Sequence, residues 1–283
     1  MKHVKIIADS TCDLSQSLIQ KYDISIIPLM ITLGDKSLKD GIQVNPQQIY
    51  DWSDQTGETP KTAAPSIGDV IDILTPFVNE KRPIVYFGIS EAMSVTCNVL
   101  RLAAESLDYK DLYVIDSKNL STGIGLQVIR AAKLAMKGCT AKEIIEDNQE
   151  INHKVRASFV VDTLTFLHRG GRCSAVTALL ANTLKLKPEI VVTDGKMGVA
   201  KKYRGNQKSV ILKYVKDLEE DLKNADPDQI FITHSGCSDD IIEEVKAYLM
   251  DFNRFKEIHV TQAGGVISSH CGPNTLGVLF ISK

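Results

Sequence analysis

The chain has 283 residues, of which 43% are hydrophobic and 24% are charged, the composition of an ordinary globular protein. Lys and Arg total 33 against 35 for Asp and Glu, so the net charge of −2 excludes a protein that binds duplex DNA through a broadly basic face. The length exceeds what one compact core usually needs and predicts two domains, residues 1–155 and 156–283.

The sequence also indicates a cytoplasmic location. No segment approaches the roughly 20 apolar residues of a membrane span, and the most apolar window, residues 24–33, is interrupted by Pro28. The N-terminus runs directly into a strand pattern, so we expect no signal peptide. The six cysteines are dispersed without a Cys-x-x-Cys pair. We therefore expect free thiols, no disulfide framework and no metal site.

In the first half, short apolar runs alternate with longer segments of helical periodicity, which is typical of an α/β protein with parallel strands. Predicted strands cover residues 4–9, 83–89 and 111–117, with an extended run at 24–33. Predicted helices cover residues 10–22, 67–78, about 90–107, 121–138 and 141–154. We expect a three-layer α/β/α domain around a parallel sheet.

The second half predicts an α/β domain with a mixed sheet, because an Asp194-Gly195 turn indicates an antiparallel hairpin. Predicted strands cover residues 157–163, 189–193, 229–235, 257–263 and 276–283. Predicted helices cover residues 174–186, 208–222 and 238–252.

Several familiar enzyme motifs are incomplete or missing. "GIGLQV" at 123–128 follows a strand, but Val128 stands where a dinucleotide fingerprint has its third glycine, so we expect the glycines to serve close packing. The chain has no Gly-x-x-x-x-Gly-Lys-Ser/Thr phosphate loop and no Gly-x-Ser-x-Gly elbow. Nothing in the motifs therefore predicts a nucleotide cofactor or a catalytic residue.

Two hydroxyl-bearing loops remain, "TAAPS" with Thr62 and Ser66, and "GISEAMSVT" with Ser90 and Ser94. Ser66 and Ser90 are placed as helix N-caps, with Ser94 in the first turn of the second helix. Both loops follow extended segments, so we expect both at the carboxyl edge of the sheet, where helix N-termini favour an anion. Because Thr62 and Ser94 occupy no obvious cap position, they are the candidate ligand-binding hydroxyls.

These loops belong to a longer series of motifs whose order and spacing resemble the DegV family of bacterial fatty-acid-binding proteins over nearly the whole chain. The motifs are "IIADSTCDL", "ISIIPL", "TAAPS", "GISEAMSVT", "VIDSKNLSTGIG", "FVVDTLTFLHRGGRCS", "KLKPEIVVTDGKM" and "SSHCGPNTLGV". The resemblance implies one long-chain fatty acid held between two α/β domains. It also implies that Thr62 and Ser94 bind the carboxylate and that Arg204 and His270 approach it.

The resemblance further implies a partner. In related proteins a separate kinase phosphorylates the bound acid to an acyl phosphate for phospholipid synthesis, so this chain would be a carrier subunit without catalysis of its own. We therefore expect a kinase partner, transient membrane contact and no nucleic acid. Secondary or partner-facing positions are Ser66, Ser90, Thr96, Arg169 and Arg172. For Arg169, Lys201 and Lys202, a basic rim that docks the partner and a solvated basic surface are equally good interpretations.

The chain departs from the usual family pattern at three places that concern the site. Val95 replaces glycine in Ser-Gly-Thr, "TAAPS" replaces "TSQPS", and Cys271 and Asn274 replace threonine and glycine. Two alternatives stay open: a small phosphotransferase or hydrolase that uses His270 and a nearby serine, and a regulatory binder of another hydrophobic acid.

Overall fold

A computed structural model describes residues 3–182 and 186–283. Its strands are β1 Lys5–Asp9, β2 Ser25–Ile27, β3 Met30–Leu33, β4 Lys36–Lys39, β5 Lys61–Ala63, β6 Ile84–Gly88, β7 Leu112–Asp116, β8 Val155–Val160, β9 Leu186–Thr193, β10 Lys196–Arg204, β11 Ala225–Ser235, β12 Glu257–Gln262 and β13 Thr275–Ser282. Its α-helices are α1 Gln16–Lys21, α2 Pro46–Thr56, α3 Ile67–Asn79, α4 Thr96–Ser106, α5 Thr122–Met136, α6 Ala141–Ile151, α7 Thr165–Gly170, α8 Gln207–Asp217, α9 Glu219–Lys223, α10 Asp239–Asp251 and α11 Gly265–Cys271. Short 3-10 helices cover Ser10–Cys12, Asn152–Lys154 and Ser174–Asn182.

The predicted fold class, α/β with a parallel sheet followed by a mixed sheet, is confirmed. The parallel sheet has the strand order β2-β1-β6-β7, and the six-stranded sheet has the order β10-β9-β8-β13-β11-β12. In the second sheet only β11 and β12 run parallel. The chain leaves β1 for β2 on one side and returns as β6 on the other, which places a topological switch point at the carboxyl ends of β1 and β6. The domain boundary at residue 155 stays a prediction.

Helix α5 lies at the centre of the molecule and is buried along most of its length. It contacts β1 of the parallel sheet and β8, β11 and β13 of the mixed sheet. Thr122 at its start bonds Thr233 on β11, with 2.6 Å between the two Oγ1 atoms. A Cβ at Gly125 would lie 3.0 Å from the carbonyl oxygen of Cys12. The interpretation that the glycines of "GIGLQV" serve close packing is therefore confirmed.

Several predicted boundaries were wrong. The predicted helix 10–22 is a 3-10 turn followed by α1, because Asp13 has a positive φ of 51° that ends the first turn. The predicted helix 208–222 is divided into α8 and α9 at Leu218. The predicted helix 174–186 is a 3-10 helix over 174–182, and residues 183–185 lie outside the described part of the chain.

The sequence interpretation also missed elements that build the site. Strand β3 falls within the predicted extended run 24–33, but its sheet partners β4 and β5 and helices α2, α7 and α11 were missed. Helix α2 has a full capping box in which Asn45 and Gln48 bond each other's backbone N–H groups. Helices α7 and α11 have six and seven residues, too short to show a clear apolar period.

Candidate functional site

A cavity of about 420 Å³ lies between the two parts of the chain that the sequence divides near residue 155. This volume falls within the range of roughly 300–1,000 Å³ that is usual for small-molecule sites. Most of its wall is apolar, and the polar side chains are Thr62, Glu91, Ser94, Arg172 and His270. The remaining lining residues are Leu29, Ala63, Ala64, Ile89, Ala92, Met93, Val95, Leu120, Met197, Val266, Ile267 and Cys271.

Thr62 and His270 form a contact across 208 positions of sequence. Thr62 lies in β5, paired with Ile31 of β3, and His270 lies in the last turn of α11. Thr62 Oγ1 and His270 Nε2 are 2.8 Å apart. Thr62 lines the same cavity as Ile89 and Leu120, which follow the carboxyl ends of β6 and β7, so its expected location is confirmed. A separate small sheet carries it there, and not the parallel sheet.

The imidazole of His270 is neutral at physiological pH. Burial, reinforced by the nearby charge of Arg172, lowers the pKa of His270 to about 4. Within residues 3–182 and 186–283, no group accepts from or donates to its Nδ1. Gly170 packs against this nitrogen so closely that a Cβ there would collide with it. A hydrogen bond with Thr62 thus holds one side of the His270 imidazole, and the backbone of Gly170 packs against the other side.

Ser94 reaches the cavity from the segment before α4. Its Oγ accepts from Thr96 N at 3.3 Å and lies 2.7 Å from Thr96 Oγ1. Since α4 begins at Thr96, the prediction that Ser94 lies in the first helical turn was wrong, and Ser94 precedes the helix. Thr96 is fully buried, and its contacts with Ser94 Oγ fix the position of the Ser94 side chain.

Ser90 does not cap a helix, contrary to the prediction. Its backbone carbonyl accepts from Met93 N and Ser94 N, closing a turn that keeps residues 90–94 out of α4. Its hydroxyl is buried, accepts from Ala92 N at 3.2 Å and donates to the carbonyl of Gly195 at 2.8 Å. Ser90 therefore joins this loop to the tip of the β9–β10 hairpin.

The three predicted arginines occupy different places. Arg172 lines the cavity and donates to the carbonyl of Gly170 at 2.8 Å. Arg169 donates to the carbonyl of Gly57 and to Thr59, at 2.9 and 3.2 Å. Arg204 is exposed at the end of β10 and is absent from the described residues that line the cavity, so the geometry supports Arg172 as the neighbouring cation.

Ser66 caps α3, as predicted. Its Oγ accepts from Asp69 N at 3.1 Å and donates to the Asp69 carboxylate at 2.6 Å, while Lys39 pairs with the same carboxylate. These contacts hold the pKa of Asp69 below its usual value, with the Lys39 hydrogen bond as the largest cause. Ser66 is therefore occupied within its own cap and stays outside the described cavity lining.

Comparison with known proteins identifies the group to which this geometry belongs. A profile described as "Uncharacterised protein, DegV family" matches residues 3–283. The chain belongs to the DegV family. A DegV domain-containing protein from Clostridium acetobutylicum is 31% identical over 286 residues, covering 100% of both chains.

Solved DegV structures share the whole fold. A fatty-acid-binding DegV family protein from Thermus thermophilus matches with a TM-score of 0.90 and 26% identity, covering 100% of both chains. A stearic-acid-binding protein from Eubacterium ventriosum matches with a TM-score of 0.85 and 26% identity, covering 99% of this chain and 98% of that one.

Sequence reasoning missed the apolar part of this DegV cavity. Ile89 follows the buried strand β6 and Leu120 comes four residues after β7, and the positions of both could be read as ordinary core. Met197 reaches the cavity from β10, which the sequence indicated only as one arm of a hairpin. Val266 and Ile267 lie in α11, which was not predicted. The short apolar segment directly before "SSHCGP" was the one feature of the sequence that indicated an apolar wall there.

No helix in residues 3–182 and 186–283 combines the length and apolar character that crossing a membrane requires.

Proposed function

We propose that this DegV protein binds one long-chain fatty acid in the cavity, with its carboxylate at Thr62 and Ser94. The observation that carries the proposal is an apolar cavity of about 420 Å³ with two hydroxyls, an imidazole and one arginine among its few polar groups. A carboxylate removed from water needs such partners, because an unpaired buried charge is very costly. Similar solved structures are of proteins that bind fatty acids.

The protonation state of His270 prepares Thr62 to donate a hydrogen bond. We assign the proton to Nε2, because Nε2 has Thr62 Oγ1 as an acceptor, whereas an N–H on the unpartnered Nδ1 would be buried without one. Nε2–H then donates to Thr62 Oγ1. The Thr62 hydroxyl proton is then free to donate to the ligand. Thr62 and Ser94 can therefore both donate a hydrogen bond to the same carboxylate.

The acyl chain supplies the affinity. At about 0.8 kcal/mol per buried methylene, a chain of roughly 14 methylenes contributes on the order of 11 kcal/mol before ordering costs. The apolar lining residues surround that chain, and the polar side chains fix its orientation. This division between head and tail is the reason for expecting selectivity for acids over alcohols or esters of equal length.

We further propose that the protein is a carrier that presents the carboxylate to a separate ATP-dependent kinase, which forms acyl phosphate for phospholipid synthesis. The absence of a phosphate loop from the sequence supports a partner that brings nucleotide. Val95 is 67% exposed beside Ser94, so the polar end adjoins the surface where a partner or a membrane can dock transiently. The six free cysteines fit a cytoplasmic location.

Solvent extraction and mass spectrometry of the purified protein test the binding proposal. We expect about one fatty acid per chain, or stoichiometric uptake by delipidated protein. A clean extract together with no uptake would contradict it. Competition with other hydrophobic acids distinguishes a regulatory binder of a different acid.

A double variant, Thr62→Ala with Ser94→Ala, tests the head-group assignment. Losing both hydroxyls should weaken binding by at least tenfold and reduce kinase-dependent acyl phosphate formation, with the fold retained. Ser106→Ala is the matched control, because that serine is exposed and bonds only the carbonyl of Leu102 within α4. Unchanged affinity and turnover in the double variant would refute these roles.

A further inference from the structure

A second, smaller void adjoins the cavity. Its volume is about 20 Å³, and it lies between α5, α11 and the face of the mixed sheet. Three side chains, Leu120, Ile267 and Cys271, line both spaces and form the partition between them. Among described residues, none of Thr62, Ser94, Arg172 and His270 lines the inner void. A ligand whose polar end meets those groups can therefore enter the void only with its apolar part.

The wall of the inner void contains hydroxyls that already have partners, and it contains His234, whose buried Nδ1 has no partner among the described residues. Thr233 bonds Thr122 and Thr261, at 2.6 and 3.1 Å. Ser235 donates to the carbonyl of Gly272 at 2.8 Å, and Thr275 donates to the carbonyl of Cys271 at 3.1 Å.

Almost all of the wall surface that faces the void is apolar, so the void is suited to an apolar group and not to an ordered water. A volume of about 20 Å³ is enough for one methyl-sized group. The void is therefore suited to the end of a hydrocarbon chain and unsuited to a charged or hydrated group.

We propose that the inner void receives the terminal methyl group of the acyl chain and that Leu120, Ile267 and Cys271 set the chain length that the protein accepts. The inference rests on the proposed fatty-acid binding and makes it more specific. A chain long enough to pass the partition gains the burial of its terminal carbon, and a shorter chain does not. Each buried methylene is worth about fourfold in affinity.

Ala263→Val fills the void without altering the main cavity. Ala263 is 3% exposed and lines only the inner space. Its backbone N–H and carbonyl bond His234 and Ser268, contacts that a larger side chain leaves in place. Ala103→Val is the control for overpacking, because Ala103 lies in α4 and is fully buried in a separate core. Leu120→Ala makes the opposite change by opening the partition.

The experiment measures Kd of delipidated protein for dodecanoic, tetradecanoic, hexadecanoic, octadecanoic and eicosanoic acids, each below its micelle concentration. We expect Ala263→Val to lose about fourfold in affinity for the longest acids that the wild type accepts, with the shorter acids within twofold. We expect Leu120→Ala to move the optimum to a longer acid, and Ala103→Val to keep the wild-type profile.

A uniform loss over all lengths in Ala263→Val, or an unchanged length profile in both cavity variants, would overturn the inference while leaving fatty-acid binding intact. If wild-type protein binds none of the acids, the proposed function fails and this inference fails with it. Should Ala263→Val not fold, the length profile of Leu120→Ala decides alone.

Discussion

His270→Gln should flatten the acid side of the stability profile of the ligand-free protein. Histidine has an ordinary pKa of 6.5, and the folded protein lowers the pKa of His270 to about 4, through burial and the charge of Arg172. Between these two values the unfolded chain binds a proton at this position that the folded chain does not. The free energy of unfolding therefore falls as the pH falls from 6.5 towards 4, and the contribution is fully present above 6.5.

The size of the effect follows from the two pKa values. At pH 5 the unfolded imidazole is almost fully protonated and the folded one is mostly neutral, which makes the difference between pH 7 and pH 5 about 2 kcal/mol. Glutamine does not titrate, and its amide can still donate to Thr62. The variant should therefore lose about 2 kcal/mol less than the wild type over this interval.

The assay is urea unfolding of delipidated protein at pH 7, 6 and 5, with the free energy extrapolated to water. Other groups also titrate here, including His234 and His259, whose pKa values burial lowers, but they are common to both proteins. His168→Gln, at an exposed histidine of α7, is the control. Parallel profiles for wild type and His270→Gln would refute the assignment of a neutral, buried imidazole.

Three further substitutions distinguish residues that bind the ligand from residues that stabilise the fold. Gly170→Ala should displace His270 and destabilise the fold by about 1–3 kcal/mol in urea unfolding, while Gly198→Ala, with open space around it in the described structure, should not. Arg172→Ala should weaken binding of a fatty acid about tenfold in titrations and Arg169→Ala should have little effect, so equal losses would contradict the different places of the two arginines. Thr140→Ala removes the capping box of α6 and should cost about 1 kcal/mol of stability with unchanged Kd, and an altered Kd would show coupling that the geometry does not predict.

The layers of the fold could be predicted from the sequence because the buried strands have clear signals. β1 and β6 are buried at every position, and a parallel strand covered on both faces is a continuous apolar run. Ser66 and Asp69 likewise indicate the start of α3, because they form a local N-cap. Such features depend on neighbouring residues, so the sequence alone contains the information.

The site could be predicted only in part, because tertiary contacts override local preference there. Ser90 is a good N-cap residue by type, yet its hydroxyl bonds Gly195, which is 105 positions away. Arg204 and Arg172 are equally basic in sequence, and the fold alone decides that Arg172 faces the cavity. The partner of Thr62 lies 208 positions away, and no local pattern indicates such a pairing.

The position of His270 depends on two buried carboxylates at the other end of α11. Asp13 accepts from Gly264 N and Asp40 accepts from Gly265 N, each at 2.8 Å, so the first turn of the helix is anchored. Burial raises the pKa of both carboxyls, and the hydrogen bonds that they accept act in the opposite direction and lower it.

A helix of seven residues is marginal by itself, and tertiary anchoring must hold it. The motif "DSTCDL" thus contributes to the cavity through the placement of α11 and has no direct contact with the space that the ligand would occupy.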